Sequence, residues 1–466
     1  MKLNEMTLTD LQATLAAGRA SAKEIAQDCL AAVARKDGEI NAFERVDEAA
    51  VLAAADAADA AAGEGRSLGL LHGLPIAFKA NIDVAGYATT GSNRALKDHK
   101  PSGDSAVSAA MKGQGAVPFG KLNMHELAFG ATSNNPFCGA VHNPFGLGHV
   151  PGGSSGGTGA AVGGDLVPAA IGTDTGGSVR VPAALCGAAG FRPSTGRWSA
   201  KGILPISHTR DTAGPVAHAV ADLDLVDRAV TDPARAAVEP ASLKGRRFGV
   251  PRGFFFDTLA PDVAAATERA LADLQAEGVE LVEVDLGTLW EEIDRDGMLI
   301  AIWEFKSDLQ AYLAGSGIAY DTVLDGISSP DVAGLAEVIR GLPPETQGAY
   351  DEILSVKRVG WQKQVAELFE TRGLEAMVYP MVCATAPEIG KDETFEIEGV
   401  EVPVFGTLVR NSAVGSVLGL PGLALPNGRG LNGLPISLGL DGPSGQDAAL
   451  LSLGLAVEQV LPGNTV

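Results

Sequence analysis

A chain of 466 residues, 46% of them hydrophobic, can bury a large core and is long enough for two or three domains. Acidic residues outnumber basic ones 57 to 35, and the resulting formal charge of −22 repels phosphate backbones and anionic lipid, which argues against nucleic acid or a membrane surface as partner. The four cysteines (Cys29, Cys138, Cys186, Cys383) form no C-x-x-C pair, the N-terminus M-K-L-N-E-M has no apolar signal-like stretch, and no uninterrupted apolar run reaches about 18 residues; a reduced, cytoplasmic protein without structural zinc or membrane span is expected.

In chain order, residues 7–35 carry apolar positions at helical spacing, with a capping-box pattern from Ser21 to Glu24, and predict two helices; an alanine-rich segment at 48–62 predicts a third. L-P-I-A-F-K at 74–79 reads as a strand ending at Lys79, residues 104–117 as a helix, and A-V-P-F-G-K at 116–121 as the next strand. After a Gly/Ser stretch at 151–159, G-A-A-V-G-G-D is a helix of small residues and L-V-P-A-A-I-G at 166–172 a buried strand. A second Gly-rich loop, T-D-T-G-G-S-V-R, follows, and Pro182 sits in the first turn of another helix. R-R-F-G-V-P, residues 261–276 and V-E-L-V-E-V continue as strand, helix, strand; near the C-terminus S-V-L-G-L-P-G-L-A-L-P reads as short buried strands with tight turns. This alternation predicts an α/β fold with the sheet covered on both faces; no repeat of about 20–50 residues and no clean domain boundary appear.

The composition of P-G-G-S-S-G-G-T-G at 151–159 suits a flexible linker, but its place inside a continuous α/β pattern does not. With one small helix and one buried strand between them, Ser154 and Ser178 can meet at one sheet edge. The backbone N–H groups of Thr175, Gly176, Gly177 and Ser178 form a donor nest suited to a developing oxyanion, which makes Ser178 a candidate nucleophile. Such a serine needs a base. The G-x-S-x-G elbow is broken by Arg180 at its last position. His125 and His208 lack a companion carboxylate pattern, and Lys79 at the end of an apolar strand would have a proton affinity lowered by desolvation. Neither phosphate-binding glycine motif is present at the two loops.

Four ordered segments, G-L-P-I-A-F-K-A-N-I-D-V-A-G at 73–86, G-K-L-N-M-H-E-L-A-F-G at 120–130, P-G-G-S-S-G-G-T-G-A-A-V at 151–162 and I-G-T-D-T-G-G-S-V-R-V-P-A at 171–183, resemble the amidase signature family of Ser-cisSer-Lys amidohydrolases. The resemblance implies one large α/β domain over 1–466: N-terminal helices in 1–65, a signature core at about 70–220, and a part from 221 to 466 that completes a mixed sheet and the substrate pocket. It also implies Lys79 as base, Ser154 as proton relay behind a cis Gly153–Ser154 peptide, Ser178 as nucleophile, amides 175–178 as oxyanion hole, and neither metal nor organic cofactor. Many members have Lys-Asp where this chain has Lys79-Ala80, so a contact near the lysine differs here, while Asp83 remains. Arg180 is open to a substrate carboxylate or to an internal ion pair. The segments at 191–198 and 205–215 look most like indoleacetamide- and mandelamide-type amidases, which implies small aromatic amides as substrates. A glutamyl-tRNA amidotransferase A subunit, a carbamate- or ester-cleaving relative and a catalytically dead binding protein are the alternatives, and a homodimer is compatible with the sequence. Phe137, Phe145, Phe254, Phe255, Phe256 and Trp303 are the aromatic residues open to either an acyl pocket or the core.

Overall fold

The computed structural model describes residues 2–463. Eleven strands form one mixed sheet: β1 (Phe43–Arg45), β2 (Pro75–Lys79), β3 (Val117–Leu122), β4 (Ala169–Asp174), β5 (Ala189–Arg192), β6 (Thr212–Ala217), β7 (Arg247–Val250), β8 (Glu280–Glu283), β9 (Ala376–Pro380) and, after a separate hairpin of β10 (Thr394–Ile397) and β11 (Val400–Pro403), β12 (Gly422–Arg429) and β13 (Pro435–Asp441). Their order across the sheet is β1-β3-β2-β4-β6-β5-β12-β13-β9-β7-β8. β2 runs parallel to both β3 and β4, and β7 parallel to β8 and β9, whereas the centre from β4 through β6, β5, β12 and β13 to β9 is antiparallel.

Strands β2, β4, β6 and β13 are buried at every position, as their near-continuous apolar and small residues require when both faces of a sheet are covered. Alternation then sorts the side chains. Ala77, Ala170, Val216, Met377 and Ala424 point to one core with the helices Ala22–Ile40, Glu48–Gly63 and Gly156–Gly163; Ile76, Phe78, Ile171, Val378 and Leu423 point to a second with Val220–Thr231 and Asp447–Val460. The predicted N-terminal helices, β2, β3, β4 and the helix around Pro182 (Arg180–Leu185) form as expected within a few residues. One segment does not: Ser416–Leu418 ends the helix Val404–Leu418, capped by Gly419 at φ 79°, and only the following G-L-A-L-P is strand. None of the described helices is long and apolar enough to cross a membrane.

The helix Gly156–Gly163 is built from small residues because it touches backbone directly. A Cβ on Gly157 would lie 2.4 Å from the carbonyl oxygens of Ala42 and Asn123, and one on Gly159 would lie 2.5 Å from that of Pro182. These approaches set the height of the helix, and of the loop before it, over the ends of β2 and β4. Gly157→Ala is therefore expected to lower the thermal midpoint, on the scale of about 1–3 kcal/mol for an overpacked site, while Gly148→Ala, whose Cβ meets open space, should melt like the parent. Coincident melting curves for all three proteins would contradict this packing.

Candidate active site

Lys79 closes β2 with its side chain fully buried. Its Nζ lies 2.7 Å from Ser154 Oγ and 2.8 Å from Thr173 Oγ1, and Asn81 Nδ2 donates to the same threonine oxygen at 3.1 Å. No carboxylate approaches it within ion-pair distance among the described residues. Burial lowers its pKa to about 7, against the opposing pull of Asp174 and Asp211. A second lysine, Lys121 on β3, is as deeply buried and brought down to about 8 by the same desolvation, with Asp83 and Glu44 opposing. Its amine donates to the carbonyl of Ile82 and meets neither serine.

Ser154 follows a cis peptide from Gly153 and is fully buried. Its carbonyl accepts the N–H of His125 at 2.9 Å. Ser133 Oγ braces the loop from both sides, donating to Gly152 O at 2.9 Å and accepting the Gly156 N–H at 3.1 Å. The next residue links the two glycine loops: Ser155 Oγ donates to Thr173 O at 3.2 Å and its N–H reaches Ser178 O at 3.3 Å.

Ser178 lies on the turn from β4 into the helix Arg180–Leu185 and is half-buried. The turn is shaped by Asp174, whose carboxylate accepts the N–H of Gly177 at 2.8 Å and that of Val179 at 3.3 Å. Gly177 has φ 127°, and a Cβ there would lie 1.9 Å from Ser412 Oγ, so only glycine fits. The predicted donor nest needs one correction. The Gly177 amide is committed to Asp174, whereas those of Thr175, Gly176 and Ser178 have no acceptor among the described residues.

Arg180 is wholly internal. It pairs with Asp174 at 3.1 Å and Asp441 at 3.4 Å and donates to Ser412 O and Ser416 Oγ, leaving nothing for a substrate carboxylate. Burial alone would raise the pKa of Asp174, but Arg180 and Arg192 hold it far below the usual carboxylate range. The two histidines lie elsewhere. His125 accepts the Ser133 N–H at Nδ1 (3.1 Å) and sits 3.0 Å from Asp331; exposed His208 bonds Asp308 at 3.0 Å. His208, Glu304 and Asp308 are spaced as metal ligands are, but Glu304 already accepts hydrogen bonds from Ser207, Thr209 and Tyr350. Ala80, in place of the family's aspartate, packs with Met124, Ala128, Ile206 and Ala301, and Asp83 accepts a hydrogen bond from Tyr312 at 2.7 Å.

A cavity of about 260 Å³ opens onto Ser178, Thr175 and Gly176, with Phe129, Ile206, Met298, Phe405, Val409 and Val417 among its apolar lining. None of the six aromatic residues singled out from the sequence lines it. Phe137 lies under Arg94, Phe145 under Arg429, Phe254 beside Arg410 and Phe256 beside Arg252; Phe255 packs on Trp290 and Tyr379, and Trp303 stacks on Tyr350. Phe129, the penultimate residue of the 120–130 motif, does line the cavity and is set edge-on to Phe305 at 4.7 Å. A larger cavity of about 900 Å³ between the helices Arg358–Arg372 and Asp447–Val460 includes no residue of the Ser178 loop.

The sheet, the paired glycine loops and the cavity at Ser178 are those of an amide-hydrolysing α/β enzyme. The model of the Amidase family matches residues 24–451, and the chain belongs to that family. It is 40% identical over 394 residues to an indoleacetamide hydrolase of Agrobacterium vitis, covering 84% of each chain. To a mandelamide hydrolase of Pseudomonas putida it is 37% identical over 474 residues, covering 98% of this chain and 92% of that one. A crystal structure of an amidase superimposes with a TM-score of 0.88 at 30% identity, over 98% of this chain and 100% of the other.

The lowered proton affinity of Lys79 is directly measurable. With 13Cε-labelled lysine, the resonance that disappears in Lys79→Met should titrate near pH 7, far below the ordinary lysine value of about 10.4. A midpoint above pH 9 for that resonance would show that burial does not neutralise the amine.

Proposed function

We propose that the chain hydrolyses small neutral carboxamides through an acyl-enzyme on Ser178, with Lys79 as base and Ser154 as relay. The observation that carries this reading is the buried Lys79 amine, brought down to about 7, at 2.7 Å from Ser154 Oγ, with Ser155 linking that loop to the half-exposed Ser178. Neutral Lys79 accepts the Ser154 proton as Ser154 accepts that of Ser178. Ser178 Oγ adds to the amide carbonyl, and the free N–H groups of Thr175, Gly176 and Ser178 receive the oxyanion. Lys79 returns the proton through Ser154 to the leaving amine as the C–N bond breaks. Water then attacks the ester, its proton taking the same route, and the acid leaves with Ser178 restored; water is the only co-reactant.

The apolar lining of the Ser178 cavity and the internal use of Arg180 support apolar over anionic acyl groups, as do the relatives named for indoleacetamide and mandelamide. A cytoplasmic setting is part of the same reading, supported by four cysteines without a disulfide. An amidotransferase subunit would need a second chain for full activity, so the test uses this chain alone.

Purified protein treated with a fluorophosphonate should carry the adduct on Ser178 by peptide mass spectrometry, and it should hydrolyse phenylacetamide faster than malonamate. Ser178→Ala should lose both adduct and turnover, whereas Ser154→Ala should still label slowly because nucleophile and oxyanion donors remain. An adduct confined to Ser154, or phenylacetamide turnover that survives Ser178→Ala, would overturn the assignment.

A further inference from the structure

The lining of the cavity at Ser178 is mostly apolar but includes three charged side chains. The helix Leu289–Leu313 contributes Asp294, Arg295 and Met298 to it, with Ala301 one turn further on. The charged groups there differ in how they are used. Arg210, from the loop before β6, spends its guanidinium inside the protein, donating to Gly297 O and, at 2.9 Å, to Thr175 O. Arg295 turns to its neighbour Asp296 at 2.7 Å and is mostly exposed. The carboxylate of Asp294 makes no hydrogen bond and no ion pair with any described residue, although it is only partly open to solvent. Its carboxylate oxygens are thus acceptors in the pocket without a donor among the described residues.

A carboxylate in a largely apolar cavity is unfavourable unless something donates to it. The deeply buried carboxylates near the site are each supplied with donors. Asp174 has two amides and two arginines; Asp211 has the N–H groups of Ile206 and Ser207 and the Thr175 hydroxyl; Glu304 has Ser207, Thr209 and Tyr350. Asp294 differs from these in facing the space that a substrate would fill. Desolvation raises its pKa, opposed by Arg210 and Arg410. With two guanidinium groups in the same lining, the pocket is not net negative, so a neutral donor suits it better than a cation.

We propose that Asp294 is a specificity-determining residue that accepts a hydrogen bond from a neutral N–H or O–H on the acyl group of the substrate. This rests on Ser178 being the nucleophile, since that places the acyl group in the cavity. Asp294 takes no part in bond making or breaking. It sets which acyl groups are held in register with Ser178.

The test compares two acyl groups of the same shape, indole-3-acetamide, which carries a ring N–H, and benzothiophene-3-acetamide, in which sulfur replaces it. The readout is the ratio of their kcat/KM values in each protein, so that a general loss of activity cancels. In the wild type the ratio should favour the indole by about 10–100-fold, the size of one hydrogen bond to a charged acceptor. In Asp294→Leu it should fall to within about threefold of unity, and in Asp294→Asn, which keeps the size and one acceptor oxygen, it should take an intermediate value. A wild-type ratio near unity, or a ratio unchanged in both variants, would overturn the proposal. Survival of indole-3-acetamide turnover in Ser178→Ala would instead sink the nucleophile assignment, an outcome distinct from either result at Asp294.

Discussion

Much of this site hangs on one buried carboxylate. Asp174, the last residue of β4, accepts the amides of Gly177 and Val179, pairs with Arg180 and Arg192, and accepts the hydroxyl of Ser416 from the helix Val404–Leu418. A charge with no exposure is tolerated only when its lone pairs are filled, and here every donor comes from an element that must be in place for the site to exist. The Ser178 turn, the start of the following helix and the helix Val404–Leu418 are fixed relative to one another through it. Arg180 extends the tie to Asp441 at the end of β13, so residues distant in sequence are joined beneath the serine loop.

That carboxylate also acts against the lysine, because a negative charge nearby favours the protonated amine. The two opposing demands are met by pairing. Asp174 and Asp441 are matched by Arg180 and Arg192, which leaves a charge-balanced cluster under the loop and lets desolvation dominate at Lys79. Lys121 shows that burial alone does not make a base. It is equally enclosed and also brought down in proton affinity, yet its amine meets a carbonyl oxygen with no proton to give. What sets Lys79 apart is a hydroxyl at 2.7 Å that belongs to the loop joined to Ser178.

Local chemistry was legible in the sequence where it depends on local pattern. The strand ending at Lys79, the two serine loops with a small helix and a buried strand between them, and a sheet covered on both faces can each be read from a handful of neighbouring residues. The cis Gly153–Ser154 peptide came only with the family resemblance. What escaped was decided across the fold. That the Gly177 amide is spent on Asp174 follows from a side chain turning back three residues, which no donor count reveals. The cavity at Ser178 takes Phe129, Met298 and Phe405 from three separate regions, while the conspicuous F-F-F run was needed to fill core and rim around Trp290, Arg410 and Arg252. Ser416–Leu418 was misread because Gly419 and Pro421 mark a turn equally well at the end of a helix or between strands.

The central claim is that Lys79 works as a neutral amine, and a pH–rate profile of kcat/KM for wild type beside Lys79→Arg addresses it most directly. The wild-type rate should climb with pH through about 7 and level off above it, as the amine loses its proton. Lys79→Arg should fold, as judged by circular dichroism, yet lose roughly 10²–10⁴-fold or more across that range, because a guanidinium stays protonated and cannot accept from Ser154. Near-normal turnover in Lys79→Arg with the same rise in pH would contradict the account, reducing Lys79 to a positive charge beside the site and leaving the base to be found elsewhere.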